Sequence, residues 1–372
     1  MSEKSKQEDG AKAEDLEKID GLRRQIDEAD ATIVETINRR LELAEAIGRI
    51  KKRYGMQVVD FARERKVLDR LKSLNKGPLP QETLRYLYSE IMAASRRIQK
   101  PVQVSFFGPE ATFTHLAAMN HFGHDTIYTP QPSIADVFDE VEKNKSAFGV
   151  VPVENSIEGA VNHTLDLFLT SELKICAEIY APIAQDLLSK ETSPEDVRII
   201  YSHPQALAQC RAWLRRNMPE AALKECASTS EAAKMAAANP GSAAIGSSLA
   251  ALVYDLIVLA SHIQDVAHNV TRFLVIGRDT MSRTGTDKTS FLFATPHVPG
   301  ALYRVLAPIA ESGINMVKLE SRPAKNASWH YLFFVDVEGH MEDPSIKEMF
   351  GEMQRTCAFI KCLGSYPQGG GR

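Results

Sequence analysis

Residues 263–277 read Ile-Gln-Asp-Val-Ala-His-Asn-Val-Thr-Arg-Phe-Leu-Val-Ile-Gly. A polar cluster of Gln264, Asp265, His268, Asn269, Thr271 and Arg272 runs directly into the apolar stretch 273–276. A strand that opens with a hydroxyl and a guanidinium holds them at a sheet edge, facing the cleft in which α/β folds bind ligands. On spacing alone the plainer alternative stands beside this one: a threonine-capped strand with a snorkelling arginine.

Upstream, strand and helix signals alternate. Residues 102–107 form a strand, after which Gly108-Pro109-Glu110-Ala111-Thr112-Phe113-Thr114-His115 turns into a helix. Helix N-termini favour anions, and Thr112 and Thr114 add hydroxyls there. A second buried strand, 148–153, leads into Glu154-Asn155-Ser156-Ile157-Glu158-Gly159 and a helix holding His163. Tyr201-Ser202-His203-Pro204-Gln205 ends another strand, and Ser228-Thr229-Ser230 opens a further helix. The alternation predicts an α/β region with mostly parallel strands. A second lobe over about 183–258 is expected to be inserted into the first, with a cleft between them.

Singly these signals are weak, since a Ser-His-Pro turn usually just caps a helix. In order over 102–280, however, Gly-Pro-x-x-Thr-x-Thr-His, Pro-Val-Glu-Asn-Ser-x-x-Gly, Ser-His-Pro-Gln and Thr-Arg-Phe closely resemble the prephenate dehydratase family. No G-x-S-x-G elbow supports a hydrolase. No G-x-G-x-x-G supports the prephenate dehydrogenase alternative. The resemblance implies a two-lobed, periplasmic-binding-protein-like domain over 101–280 that expels carbon dioxide and a ring hydroxyl from prephenate. By the same resemblance Thr271 acts at the departing hydroxyl, with its proton source left open. Thr112, Asn155, Ser156 and Thr229 bind substrate, with His203 a weaker binder and Phe273 beside Thr271. Arg272 either pairs with a carboxylate or is structural. His115, His163 and His268 are expected to be packing or loop residues.

The chain has 372 residues, 44% of them hydrophobic and 25% charged, enough for a multidomain soluble protein. A net charge of −4 argues against nucleic acid as a partner. Five cysteines (Cys176, Cys210, Cys226, Cys357, Cys362) are odd in number and form no C-x-x-C pair, which points to a reducing compartment and away from structural zinc. Residues 1–13 lack the apolar core of a signal peptide, and no apolar run is long enough to span a membrane. These features predict a cytoplasmic enzyme with a short disordered tail over 1–13.

Residues 14–53 contain no proline and carry a heptad pattern. Ile19, Ile26, Ile33 and Ile47 occupy one seam position, and Leu22, Ala29, Leu43 and Ile50 the other. Such a helix is about 60 Å long at ~1.5 Å per residue, so it needs partner helices. Arg40 stands in the seam between Ile33 and Ile47, where an unpartnered guanidinium costs several kcal/mol, roughly 3–5. Its partner is therefore expected on another helix or on an anionic ligand. Asp60 signals the cap of a second helix, with Arg63 and Glu64 on its face. A third helix from 81 to 98 puts Ser95 and Gln99 one turn apart.

Leu22-Arg23-x-x-Ile26-Asp27, Arg39-Arg40, Lys51, Asp60, Arg63-Glu64 and Ser95-x-x-x-Gln99 resemble the all-helical chorismate mutase family over 14–100. Chorismate to prephenate is a rearrangement of a dianion that requires no nucleophile, metal or cofactor, only a clamp matched to the developing charge. The resemblance implies that Arg23 and Arg40 hold the two carboxylates and that Lys51 and Gln99 flank the ether oxygen. Glu64 then binds the ring hydroxyl, Arg63 assists the carboxylates, and Asp60 and Ser95 complete the pocket. Arg23 lies 17 residues before Arg40, about 25 Å along a straight helix. A homodimer is therefore expected, with Arg23 serving the pocket of the other subunit.

Beyond a polar linker over 279–288, the pattern β-α-β-β-α-β across 289–366 predicts a ferredoxin-like domain. Gly300-Ala301-Leu302, Gly313-Ile314-Asn315 and Leu319-Glu320-Ser321-Arg322-Pro323 resemble the ACT regulatory domain. That likeness implies phenylalanine as an allosteric ligand held by Gly300, Ala301, Leu302, Asn315, Glu320, Ser321 and Arg322. The alternative is a folding or dimerisation module without ligand. For the whole chain, the contrasting possibility is a non-enzymatic amino-acid-sensing protein whose helices only dimerise.

Overall fold

The structure, a computed structural model, describes residues 3–323 and 331–369, with side chains from residue 14 onward. Among the described residues no helix is long and apolar enough to cross a membrane. The chain divides into two bodies, Met1–Val58 with Ala94–Pro101, and Val59–Ala93 with Val102–Arg372.

The first body is built on α1 (Glu3–Arg53), a helix of 51 residues. Residues 3–13, expected as a disordered tail, belong to this helix: apart from Gly10 they are helix-compatible and contain no proline. The heptad seam is present but exposed, with Leu22 and Ile26 each 58% accessible and Ile33, Leu43, Ile47 and Ile50 similarly open. The last turns of α3 (Gln81–Gln99) pack on α1 at Gly48. A Cβ on Gly48 would lie 2.6 Å from Cγ of Gln99, so this approach requires glycine.

In the second body α2 (Phe61–Leu74) and the first part of α3 lie on the α/β region. Phe61 joins Phe122 and Phe148 in one core, and Ala93 sits under Gly123. The first lobe follows: β1 (Gln103–Phe107), α4 (Phe113–Phe122), β2 (Ile127–Gln131), α5 (Ile134–Glu142), β3 (Phe148–Asn155), β4 (Gly159–Ala160), α6 (Asn162–Thr170) and β5 (Lys174–Pro182). The second lobe spans 186–260: β6 (Asp186–Ser189), β7 (Ile199–Ser202), α7 (Pro204–Gln209), α8 (Arg211–Asn217), β8 (Ala222–Glu225), α9 (Thr229–Ala238), β9 (Ser242–Gly246), α10 (Ser248–Val253) and β10 (Ile257–Ala260). The chain then returns to the first sheet as β11 (Val270–Gly277).

The sheet orders are β2-β1-β3-β11-β5 and β10-β6-β9-β7-β8. They are mixed, not mostly parallel: β11 pairs antiparallel with both β3 and β5, and β6 antiparallel with β9 and β10. The direction follows from connectivity, because β11 comes back from the second lobe and enters between β3 and β5 against their run. Side chains alternate along β11. Phe273 and Val275 enter one core, whereas Leu274 and Ile276 enter another on the reverse face.

The remaining elements are β12 (Asp287–Ala294), α11 (Ala301–Glu311), β13 (Met316–Pro323), β14 (Tyr331–Glu338), α12 (Pro344–Thr356) and β15 (Phe359–Pro367), in sheet order β13-β14-β12-β15. Helices α11 and α12 cover one face through Val305, Ile309, Met349 and Met353. The other face places Leu292, Phe334, Leu363 and Tyr366 in the same core as Leu274 and Ile276. Gly364 has φ +144°, and a Cβ there would lie 2.5 Å from the carbonyl of Ile175, so the two layers meet backbone to backbone. Lys288, read from sequence as linker, is buried in β12, where Glu178 neutralises its charge.

Candidate active sites

In the first body Arg40 donates from NH1 to Oγ of the buried Ser95 at 2.5 Å. One turn on, Nε2 of Gln99 donates to the Ser95 carbonyl at 3.1 Å, and Lys51 Nζ donates to the Val58 carbonyl at 2.9 Å. Arg40, Ser95 and Gln99 are thus brought to one place, and the helix that partners Arg40 is α3. Arg23 is not among them. It lies exposed on α1, paired with Asp20 one turn away at 3.2 Å. In the second body Asp60 caps α2 by accepting the N–H of Arg63 at 2.9 Å, with Glu64 in the first turn.

Between the two lobes of the α/β region lies a cleft of about 640 Å³. Its lining includes Thr112, Asn155, His203, Thr229, Thr271 and Phe273, all expected from sequence. Thr112 caps α4, and Ser228 caps α9, with Glu231 Oε2 accepting the N–H of Ala227, the residue before the cap, at 2.9 Å. The first turns of α4 and α9 therefore open onto the cleft. No lysine or arginine stands among its described lining residues. Helix N-termini, hydroxyls, side-chain amides and His203 are what it offers an anion, beside one carboxylate, Glu231.

Thr271 Oγ1 accepts from Asn155 Nδ2 at 2.8 Å, and the same amide group donates to Asn269 Oδ1 at 2.8 Å. The Asn155 carbonyl oxygen is taken by the N–H groups of Ile157 (2.9 Å) and Glu158 (3.2 Å), which dictates how the amide is turned. Because the Thr271 oxygen accepts from an amide, its own O–H is left to donate. Asn269, itself buried, continues through Gln209 to Gln185. This row of amides lines the cleft. Sequence reading noticed Asn269 only as part of a polar cluster and missed Gln185 and Gln209, whose roles depend on strands distant in sequence. The Nδ1 of His203 accepts the Gln205 N–H at 3.3 Å, which keeps the neutral ring's proton on Nε2. His115 is a packing residue stacked on Phe106 at 4.4 Å, and burial lowers its pKa to about 4.

Two expected binders stand elsewhere. Ser156 is exposed, with its hydroxyl donating to the His268 carbonyl and accepting the Val270 N–H, so it stitches the loop after β3 to β11. Arg272 points to the reverse face of β11, as alternation requires when Thr271 and Phe273 face the cleft. It is buried and bonds to Glu178, Asp336 and Tyr366. Burial alone would lower its pKa. Tyr366, Asp336 and Glu178 outweigh that effect and keep the guanidinium charged.

Of the residues expected to hold a regulatory ligand, Gly300 (φ +74°) precedes α11, and Ala301 and Leu302 begin that helix. Asn315 is exposed and its carbonyl accepts the Glu338 N–H at 2.9 Å. Glu320 and Ser321 lie on the edge strand β13, and Arg322 binds Asp166 and the Asn162 carbonyl on α6.

Family models match three consecutive segments: chorismate mutase type II over residues 22–100, prephenate dehydratase over 104–281, and the ACT domain over 290–348. A bifunctional chorismate mutase/prephenate dehydratase of Aquifex aeolicus is 45% identical over 95% of this chain and 99% of its own. Its counterpart in Pseudomonas aeruginosa is 41% identical over 95% and 99%. Among solved structures, prephenate dehydratase from Arthrobacter aurescens in complex with L-Phe superposes with a TM-score of 0.66 at 34% identity, covering 72% of this chain and 90% of that one. Three segments in this order and full-length likeness at this identity show that the chain belongs to the family of bifunctional chorismate mutase/prephenate dehydratases with a C-terminal ACT domain.

Proposed function

We propose that prephenate loses its carbon dioxide and ring hydroxyl in the cleft between the lobes, with the Thr271 hydroxyl hydrogen-bonded to the departing oxygen. The observation that carries this reading is the Asn155–Thr271 hydrogen bond, which leaves Thr271 an oriented donor. Aromatisation drives the reaction, so the protein need only hold the dianion and assist departure. The carboxylates are met by the first turns of α4 and α9, with Thr112 and Thr229, and His203 supplies a further N–H. In the full-length enzyme fed chorismate, Thr271→Ala should let prephenate accumulate without phenylpyruvate, and Thr271→Ser should retain turnover. Normal dehydratase turnover in Thr271→Ala would remove Thr271 from the mechanism.

For the mutase, Arg40, Lys51, Ser95 and Gln99 hold chorismate, and Arg23 of a second copy joins them. The exposed apolar seam of α1 supports pairing with that copy. Asp60, Arg63 and Glu64 keep the roles that the chorismate mutase resemblance gives them. Neither reaction calls for a cofactor. Phenylalanine is the proposed allosteric ligand, supported by the L-Phe complex of the Arthrobacter relative. Five unpaired cysteines support a reducing, cytoplasmic setting.

A further inference from the structure

The cleft-facing pair Thr271 and Asn155 are register partners on the adjacent strands β11 and β3. The next register pair, Arg272 and Glu154, stands immediately beside them. Both of these neighbours are gripped by the ACT domain. Arg272 NH1 pairs with Asp336 on β14 at 2.7 Å, and Glu154 pairs with Lys318 on β13 at 2.6 Å. Asp336 and Lys318 are themselves register partners in the ACT sheet. One ladder rung of the regulatory sheet thus holds the rung of the catalytic sheet adjoining the hydroxyl that acts on substrate.

The grip on Arg272 is extensive. Its Nε and NH2 reach Glu178 at 2.9 and 2.8 Å, and NH2 reaches the Tyr366 hydroxyl at 3.0 Å. Asp336 also accepts from Ser290, which shares a hydrogen bond with Tyr366, and Lys288 returns to Glu178 at 2.8 Å. Arg272 and Lys288 balance Glu178 and Asp336, so the cluster is neutral and every charge has a partner. Such a network holds its members in one arrangement and moves as a unit.

We propose that the Asp336–Arg272 and Lys318–Glu154 ion pairs form a clamp through which the ACT domain sets the Asn155–Thr271 hydrogen bond, and with it dehydratase turnover. The four charged residues are positioning residues that touch no substrate. A shift of β13 and β14 would be passed directly to β3 and β11, without a route through the lobes. The proposal rests on the assignment of Thr271 given above.

The test uses the full-length enzyme, with Lys318→Met, Lys318→Glu, Asp336→Asn and the charge swap Lys318→Glu with Glu154→Lys. For each, dehydratase kcat and prephenate KM are measured beside mutase activity, which reports folding of the same chain. The expected result is a dehydratase kcat lowered about 10-fold in Lys318→Glu, with KM within about 3-fold and mutase activity unchanged. The swap should recover most of the lost kcat. If Asp336→Asn fails to fold, the Lys318 variants alone decide. Wild-type kcat in Lys318→Met and Lys318→Glu would overturn the clamp, as would a swap that restores nothing. Thr271→Ala separates the two readings. If it stays active, the assignment beneath the clamp fails. If it is dead while the Lys318 variants are normal, only the clamp fails.

Discussion

Mixing two inactive variants, Arg23→Ala and Lys51→Ala, asks whether the mutase pocket draws on two chains. Arg23 and Arg40 are 17 residues apart on one helix, about 25 Å, whereas an arginine side chain spans about 7 Å. Both lie on α1, an uninterrupted helix, so neither can reach the other's ligand within a chain. Arg23 is about three-quarters exposed, and among the described residues it forms an ion pair with Asp20 at i,i+3. That pair is worth no more than ~0.5 kcal/mol, so Arg23→Ala should leave folding intact. Loss of a guanidinium from a desolvated carboxylate costs about 3 kcal/mol, or more than 100-fold in mutase turnover. Random exchange makes about half of the dimers mixed, each with one complete site of two, so about a quarter of wild-type activity should return. The assay is chorismate consumption before and after exchange, with exchange verified by differently tagged chains. No recovery despite exchange would mean that each chain builds its own pocket.

Gly48→Ala gains about 1 kcal/mol of helix propensity, yet its methyl would lie 2.6 Å from Gln99 Cγ and 3.0 Å from its Cα. The overlap, costing about 1–3 kcal/mol, should win, lowering mutase kcat at least 10-fold with dehydratase kcat preserved. Arg272→Met should destabilise the enzyme by about 3–5 kcal/mol, because Asp336 is left buried without its counter-ion; calorimetry should show a melting point lower by roughly 10 °C. A rise in prephenate KM at unchanged stability would instead return Arg272 to substrate binding. His115 is held neutral by burial, with a pKa near 4 against 6.5 unfolded. Its contribution is complete above about pH 6.5 and is lost as pH falls toward 4, by about 1–3 kcal/mol after allowance for its partial exposure. His115→Gln should flatten that part of the urea-midpoint profile. Phenylalanine should inhibit the dehydratase through a coupling of about 1–3 kcal/mol, weakened by Glu320→Ala in the full chain. Truncation after residue 280 is a poorer test, since it would strip Leu292, Phe334 and Tyr366 from a core shared with Leu274 and Ile276.

Much was legible in the residues themselves. Alternating signals, the Thr-Arg-Phe strand, the β-α-β-β-α-β order and the heptads of α1 named the elements, because periodicity and capping are local. Resemblance to the prephenate dehydratases, not periodicity, named Thr112, Asn155, Ser156, Thr229 and Thr271 as a substrate site, and of these all but Ser156 line one cleft. Alternation along β11 puts Thr271 and Arg272 on opposite faces, a constraint already contained in the sequence. What no local pattern contained was the far side of each contact. Arg272 could be assigned only when β5 was known to lie beside β11 and β14 and β15 behind it, and Ser156 only when its loop was seen tied to β11. The amides of Gln185, Gln209 and Asn269 lie on separate segments that meet where the lobes face each other. Whether a polar side chain binds substrate or satisfies a buried neighbour depends on which groups surround it. Those neighbours come from distant parts of the chain, so tertiary structure decides the role.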